Sequence, residues 1–183
     1  MTRPRTVVEY VLVALCAVVI ALLLQAFVVK PYRIPSESMA ATLVPRDRVL
    51  VNRVVYKLHE PGRGDIVVLD SAAVGRVLIK RVIGLPGDTI SLDGGHVYID
   101  GKRLREPYVR REDGYAEPTE PFRGSGQPWS LEQPYRVPAG HYFMMGDNRT
   151  VSDDSRDWGP APRREIIGEA FLTYWPLSRL HGL

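Results

Sequence analysis

The chain has 183 residues, a formal net charge of +3 and a single cysteine, Cys16. Arg3, Arg5 and Lys30 against Glu9 give the first thirty residues a net +2, which leaves only +1 for residues 31–183. That nearly neutral remainder lacks the basic footprint of a nucleic-acid binder. One cysteine excludes an intrachain disulfide and a cysteine-built metal site, and 45% apolar against 25% charged residues excludes long disorder.

The first predicted element is a membrane span. From Tyr10 to Val29 the chain reads YVLVALCAVVIALLLQAFVV, with Gln25 its one strongly polar side chain. Twenty helical residues reach roughly 30 Å, the thickness of a hydrocarbon core. A cleaved secretory signal would carry a shorter apolar run closed by a small-x-small site, and a core helix would carry a polar face. The reading is a stub over 1–9, a transmembrane helix over 10–29 and an all-β domain over 30–183. Arg3 and Arg5 before the span balance Lys30 and Arg33 after it, so charge gives no orientation.

After the span the apolar period becomes two. Arg48–Tyr56, Asp65–Leu69 and Arg76–Gly84 read as strands, separated by the turn signals Pro61-Gly62-Arg63-Gly64 and Leu85-Pro86-Gly87-Asp88. Thr89–Leu92 and His96–Ile99 flank Asp93-Gly94-Gly95 as a hairpin, and His141–Met145 and Ile166–Tyr174 complete the set. Residues 105–134, rich in Pro, Gly and charge, read as a long excursion from the sheet core. The fold class is therefore all-β, a mainly antiparallel barrel or sandwich of short strands, carried on one N-terminal transmembrane helix.

Three clusters hold the chemistry. Pro35-Ser36-Glu37-Ser38-Met39, followed by Thr42-Leu43, lies just past the span. Ser38 is nine residues beyond Val29, within about 30 Å of the membrane exit even if fully extended. In the second cluster, alternation sets Lys80 between Leu78 and Val82 on one face of a strand that ends Gly84-Leu85-Pro86-Gly87-Asp88. A lysine there is either an edge residue reaching outward or a desolvated amine. The third cluster, Gly146 to Gly159 (GDNRTVSDDSRDWG), packs four aspartates, two serines and two arginines into fourteen positions. On composition alone it is a polar loop or a site.

These clusters, in this order behind a short N-terminal anchor, resemble the bacterial type I signal peptidases: PSESMxxTL, a lysine strand ending GLPGD, GDNRxxSxDSRxWG, and a terminal Trp175-Pro176-Leu177-Ser178-Arg179. The resemblance covers most of the chain and weakens across 105–134. It implies a serine endopeptidase that removes signal peptides from secretory preproteins after small residues of the Ala-x-Ala type. By that resemblance Ser38 is the nucleophile and Lys80 the general base. Ser36 and the Ser38 N–H form the oxyanion hole, and Ser152 orients the lysine. Asp147, Asp154, Arg81 and Arg156 form a supporting polar shell, and Ile34, Pro35, Met39, Leu43, Leu78 and Ile79 match substrate-pocket positions. It further implies a bacterial plasma-membrane protein with its catalytic domain outside the cytoplasm, in contact with membrane lipid, and with no cofactor, metal or nucleic acid. Ala41 departs from the family pattern, which commonly has Pro there.

The chemistry is self-consistent. A lysine can act as base only when neutral, which costs roughly 4–5 kcal/mol at pH 7 in water for an amine of pKa about 10.4. Apolar neighbours supply that shift, because burial penalises the ammonium. Nearby carboxylates oppose it, so Asp147 and Asp154 are expected to turn towards Arg81 and Arg156. His59, His96, His141 and His181 lie outside the clusters and are expected to be structural or superficial. Two rival readings remain: a metal-dependent phosphoesterase built on the aspartates, and a membrane-tethered domain that only binds a partner.

Overall fold

The computed structural model describes residues 4–124 and 126–183. Helix α1 (Pro4–Phe27) gives way within two residues to strand β1 (Val29–Arg33). Strands β2 (Arg48–Asn52), β3 (Ile66–Ser71), β4 (Arg76–Gly84), β5 (Thr89–Asp93), β6 (His96–Ile99) and β7 (Lys102–Arg103) follow. The excursion holds only β8 (Arg111–Glu112), β9 (Tyr115–Ala116) and one 3-10 turn before β10 (Tyr135–Arg136). Then come β11 (His141–Met145), the one-turn helix α2 (Ser155–Trp158), β12 (Ala161–Pro162), β13 (Ile166–Trp175) and β14 (His181–Gly182).

Every strand pair is antiparallel. The main sheet runs β1-β2-β13-β3-β4-β11-β12 with β14 beside β13, a second sheet runs β10-β5-β6-β7, and β8-β9 is a separate hairpin. Alternation holds in β2, where Val49 and Val51 turn inward, while β3 and β4 are buried runs at the centre of the sheet. In β3 and β4 nearly every side chain from Ile66 to Leu69 and from Ile79 to Gly84 is buried, so β4 lies deep in the sheet with Lys80 opposite Val67. Ile79 joins one core cluster with Ile34, Met39 and Leu43, Val82 a second with Val67 and Met144, and Ile83 a third with Ile90 and Phe143 between the two sheets.

Two boundaries differ from the sequence expectation for a visible reason. The apolar run expected to stay helical to Val29 ends its helix at Phe27, because Val29 pairs with Asn52 in the sheet. The strand expected over Arg48–Tyr56 stops at Asn52. The Asn52 side-chain carbonyl accepts the N–H groups of Val54 (3.0 Å) and Val55 (3.1 Å), turning the backbone into a 3-10 helix over Val55–Lys57. Among the described residues, no helix is long and apolar enough to cross a membrane. The expected span over 10–29 passes through positions 21 and 23–27, whose side chains lie outside the described residues. The described side chains of α1 are exposed, Val8, Leu12, Leu15, Val19 and Leu22 among them.

Candidate active site

The loop between β1 and β2 is pinched at its neck, where Ile34 N–H donates to Asp47 O (2.9 Å) and Arg46 N–H to Ile34 O (3.0 Å). Buried Asp47 braces it from inside, accepting from Val44 N–H (2.9 Å) and from the Arg179 guanidinium (2.9 Å). Met39 and Leu43 anchor the loop in the core, both with no exposed surface. Pro35, Ser36 and Glu37 are thereby left exposed and Ser38 half-buried. The Ser36 and Ser38 hydroxyls lie 3.3 Å apart. Ala41, where the family pattern has Pro, takes φ +46°, a left-handed conformation closed to proline, whose ring fixes φ near −65°.

Lys80 is 2% exposed, and its ammonium nitrogen donates to Ser152 Oγ at 3.0 Å. Burial pulls its pKa from 10.5 down to about 8, against the opposing pull of the Asp154 and Asp153 carboxylates. Among the described residues, no hydrogen bond joins Lys80 to Ser38. The two line one cleft of about 550 Å³, together with Ile34, Pro35, Leu78 and Ile79; none of the four histidines lines it. Met39 and Leu43, matched to pocket positions in the sequence, lie beneath the cleft and not on its wall.

The loop after β11 joins the two halves. Asn148 donates its backbone N–H to Ser38 O (3.1 Å) and its side-chain amide to Glu37 O (3.1 Å), so it grips the serine loop by its backbone. Ser152 N–H donates to Asn148 O (3.0 Å), which ties the lysine's partner to the same residue. Gly146 sits where these meet. A Cβ there would lie 2.3 Å from both Ser152 Oγ and Ser38 O, so no other residue fits.

Asp147 and Asp154 each face a guanidinium. Asp147 takes a two-pronged contact from Arg81 (2.8 and 2.6 Å) and a further bond from Thr42 Oγ1 (2.5 Å). Asp154 takes the same contact from Arg156 (2.9 Å to each oxygen), receives Gly146 N–H (3.1 Å) and caps α2. Burial alone would push the Asp154 carboxyl up, but Arg156 holds it below the usual carboxylate range. Among the described residues, no group of three or more His, Cys, Asp or Glu side chains could hold a metal ion.

Asn148, Gly146 and Thr42 were not singled out by role in the sequence. The density of polar residues from Gly146 onward was the available signal, but only the folded chain brings Asn148 to the backbone of Glu37 and Ser38. Arg149 was missed as well. It is buried, donates to Gly146 O (3.0 Å) and Thr119 Oγ1 (2.5 Å), and pairs with Glu106, tying the excursion to this loop.

Comparison with known proteins gives the family of the chain. The family model described as "Signal peptidase, peptidase S26" matches residues 7–175. A signal peptidase I of Leptolyngbya laminosa is 39% identical over 175 residues, 91% of this chain and 79% of that one. The signal peptidase I S of Bacillus subtilis is 37% identical over 186 residues, 98% of this chain and 95% of that one. A crystal structure of a signal peptidase I from Enterococcus faecalis is 30% identical, with a TM-score of 0.47 over 61% of this chain and 97% of that one. The chain therefore belongs to the signal peptidase family, peptidase S26, and is a serine endopeptidase of signal-peptide removal.

Proposed function

We propose that this protein removes signal peptides from secretory preproteins with Ser38 as nucleophile and Lys80 as its general base. The observation that carries this reading is a dry lysine, tethered by Ser152, in the same cleft as Ser38. One N–H of the neutral amine bonds Ser152, and its lone pair is free to accept a proton. Ser38 Oγ attacks the scissile carbonyl carbon as Lys80 takes the hydroxyl proton. The carbonyl oxygen becomes an oxyanion, held by the Ser36 hydroxyl and the Ser38 N–H; loss of one such donor typically costs about 3–4 kcal/mol. The ammonium then protonates the departing amine, which is the N-terminus of the mature protein. Lys80, neutral again, deprotonates a water that attacks the ester and frees Ser38. Arg81 and Arg156 pair with Asp147 and Asp154, and burial outweighs the upward pull on Lys80 that Asp154 and Asp153 still exert.

The substrate's signal half binds extended along Leu78–Lys80 and the segment before Ser38, with small side chains turned into shallow apolar pockets between Ile34 and Ile79. That gives the Ala-x-Ala type of preference. The exposed apolar side chains of α1 suit lipid, and β1 begins two residues after the helix ends, so the cleft lies close to the bilayer on its extracytoplasmic face. The test is preprotein cleavage by the full chain in detergent. Wild type cleaves, whereas Ser38→Ala and Lys80→Ala do not; near-normal cleavage by either variant rejects the dyad.

A further inference from the structure

The cleft that holds Ser38 and Lys80 is walled by apolar side chains from Ile34, Val77, Leu78, Ile79 and Val151. Such a wall suits the apolar half of a preprotein. The other half, the beginning of the mature protein, has to leave the scissile bond on the far side of the serine loop. A second cavity of about 620 Å³ opens there. Glu37 lines both this cavity and the first cleft, so the two lie on either side of the loop that carries Ser36 and Ser38. Its floor is Ala40 and Ala41 of the serine loop, and its opposite wall is Arg110 and Arg111 of the excursion.

That wall is fixed to the catalytic machinery. Arg110 N–H donates to Asp147 O (2.9 Å), one residue from Gly146 and Asn148. The Tyr108 ring stacks under the Arg81 guanidinium at 4.1 Å, and buried Arg149 pairs with Glu106. The hairpin β8-β9 therefore holds a set position relative to Ser38. Its two cations are not equivalent. Arg110 leans on Glu117 (3.4 Å), whereas Arg111 is exposed and its guanidinium makes, among the described residues, a long contact to Gly114 O (3.4 Å) and no ion pair. Glu37 guards the entrance with the opposite sign, so the path runs from negative beside the cut to positive further out.

We propose that this second cavity is the binding site for the first residues of the mature protein, and that Arg111 selects substrates with an acidic side chain roughly two to four residues after the cut. An extended peptide rises about 3.3 Å per residue, so a side chain a few residues past the cut is the one placed to meet the opposite wall of this cavity. The same field disfavours an acidic residue immediately after the cut, next to Glu37. This gives the excursion over residues 105–134 a task in the reaction, and it rests on the assignment of Ser38 as nucleophile. An exposed cation selects modestly, by roughly fivefold, and less at high salt.

The experiment compares two preproteins that differ only at the third mature residue, Glu or Lys, cut by the full chain in detergent. Wild type favours the Glu substrate by roughly fivefold in kcat/KM at low salt, through KM, and the preference shrinks in high salt. Arg111→Glu reverses the order, and Arg111→Ala brings the two substrates level. A ratio of one in wild type, or the same ratio in wild type and Arg111→Glu, overturns the proposal. A failure of the nucleophile assignment has a different signature, in which Ser38→Ala cuts both substrates.

Discussion

Replacing Lys80 by methionine tests the buried amine through folding stability, independently of catalysis. Burial holds the amine's pKa at about 8 in the folded chain, against 10.5 for an ordinary lysine. Each pH unit between those values corresponds to about 1.4 kcal/mol, so the folded state carries a penalty of about 3 kcal/mol while the amine is charged in both states. The sign follows from the protons. Below pH 8 both states are protonated and the whole penalty is present. Between pH 8 and 10.5 the unfolded chain binds the extra proton, so stability rises with pH. Above 10.5 both are neutral and the penalty is gone. Methionine fills a similar volume without a charge, at the cost of the bond to Ser152, about 1 kcal/mol. Lys80→Met should therefore be more stable than wild type by about 2 kcal/mol at pH 7, and the advantage should vanish or reverse by pH 10.5. Guanidinium unfolding of the full chain in detergent, followed by tryptophan fluorescence at both pH values, measures this. A variant less stable than wild type at pH 7, or a difference independent of pH, would refute the burial argument.

Gly146→Ala forces a methyl group against Ser152 Oγ and Ser38 O and should lower kcat/KM by about a hundredfold or more while circular dichroism still reports a β fold. Arg156→Gln strands the Asp154 carboxylate in the core and should cost about 3–5 kcal/mol, read as a fall in unfolding midpoint. Ala41→Gly relieves a left-handed alanine and should stabilise the chain by about 1 kcal/mol in the same assay, whereas Ala41→Pro should destabilise it.

The strands around the site were legible because their valines and isoleucines alternate. Thr89–Asp93 and His96–Ile99 follow that pattern, whereas His141–Met145 and β4 are runs buried along most of their length. Local sequence did not reveal where apolar runs change partner. Val29 reads as the end of a lipid-facing run, yet it pairs with Asn52, and Arg48–Tyr56 breaks where one asparagine side chain outcompetes the ladder. In the site, alternation set Lys80 between Leu78 and Val82 but left open an outward-reaching edge lysine or a buried amine, and the place of β4 between β3 and β11 decides for burial. The grip of Asn148 on the serine loop links residues more than a hundred positions apart, and the pairing of Arg149 with Glu106 joins two segments of unrelated pattern. Met39 and Leu43 matched pocket positions by motif, but periodicity cannot distinguish a pocket wall from the core under it.

The account stands on a lysine that is neutral when it meets Ser38. The most direct measurement is kcat/KM for preprotein cleavage across pH, since its acid limb reports the base in the free enzyme. The limb should rise through a pKa of about 8, the value burial imposes on Lys80. A limb that climbs only as an ordinary lysine titrates, near 10.5, or one that survives in Lys80→Ala, would contradict it.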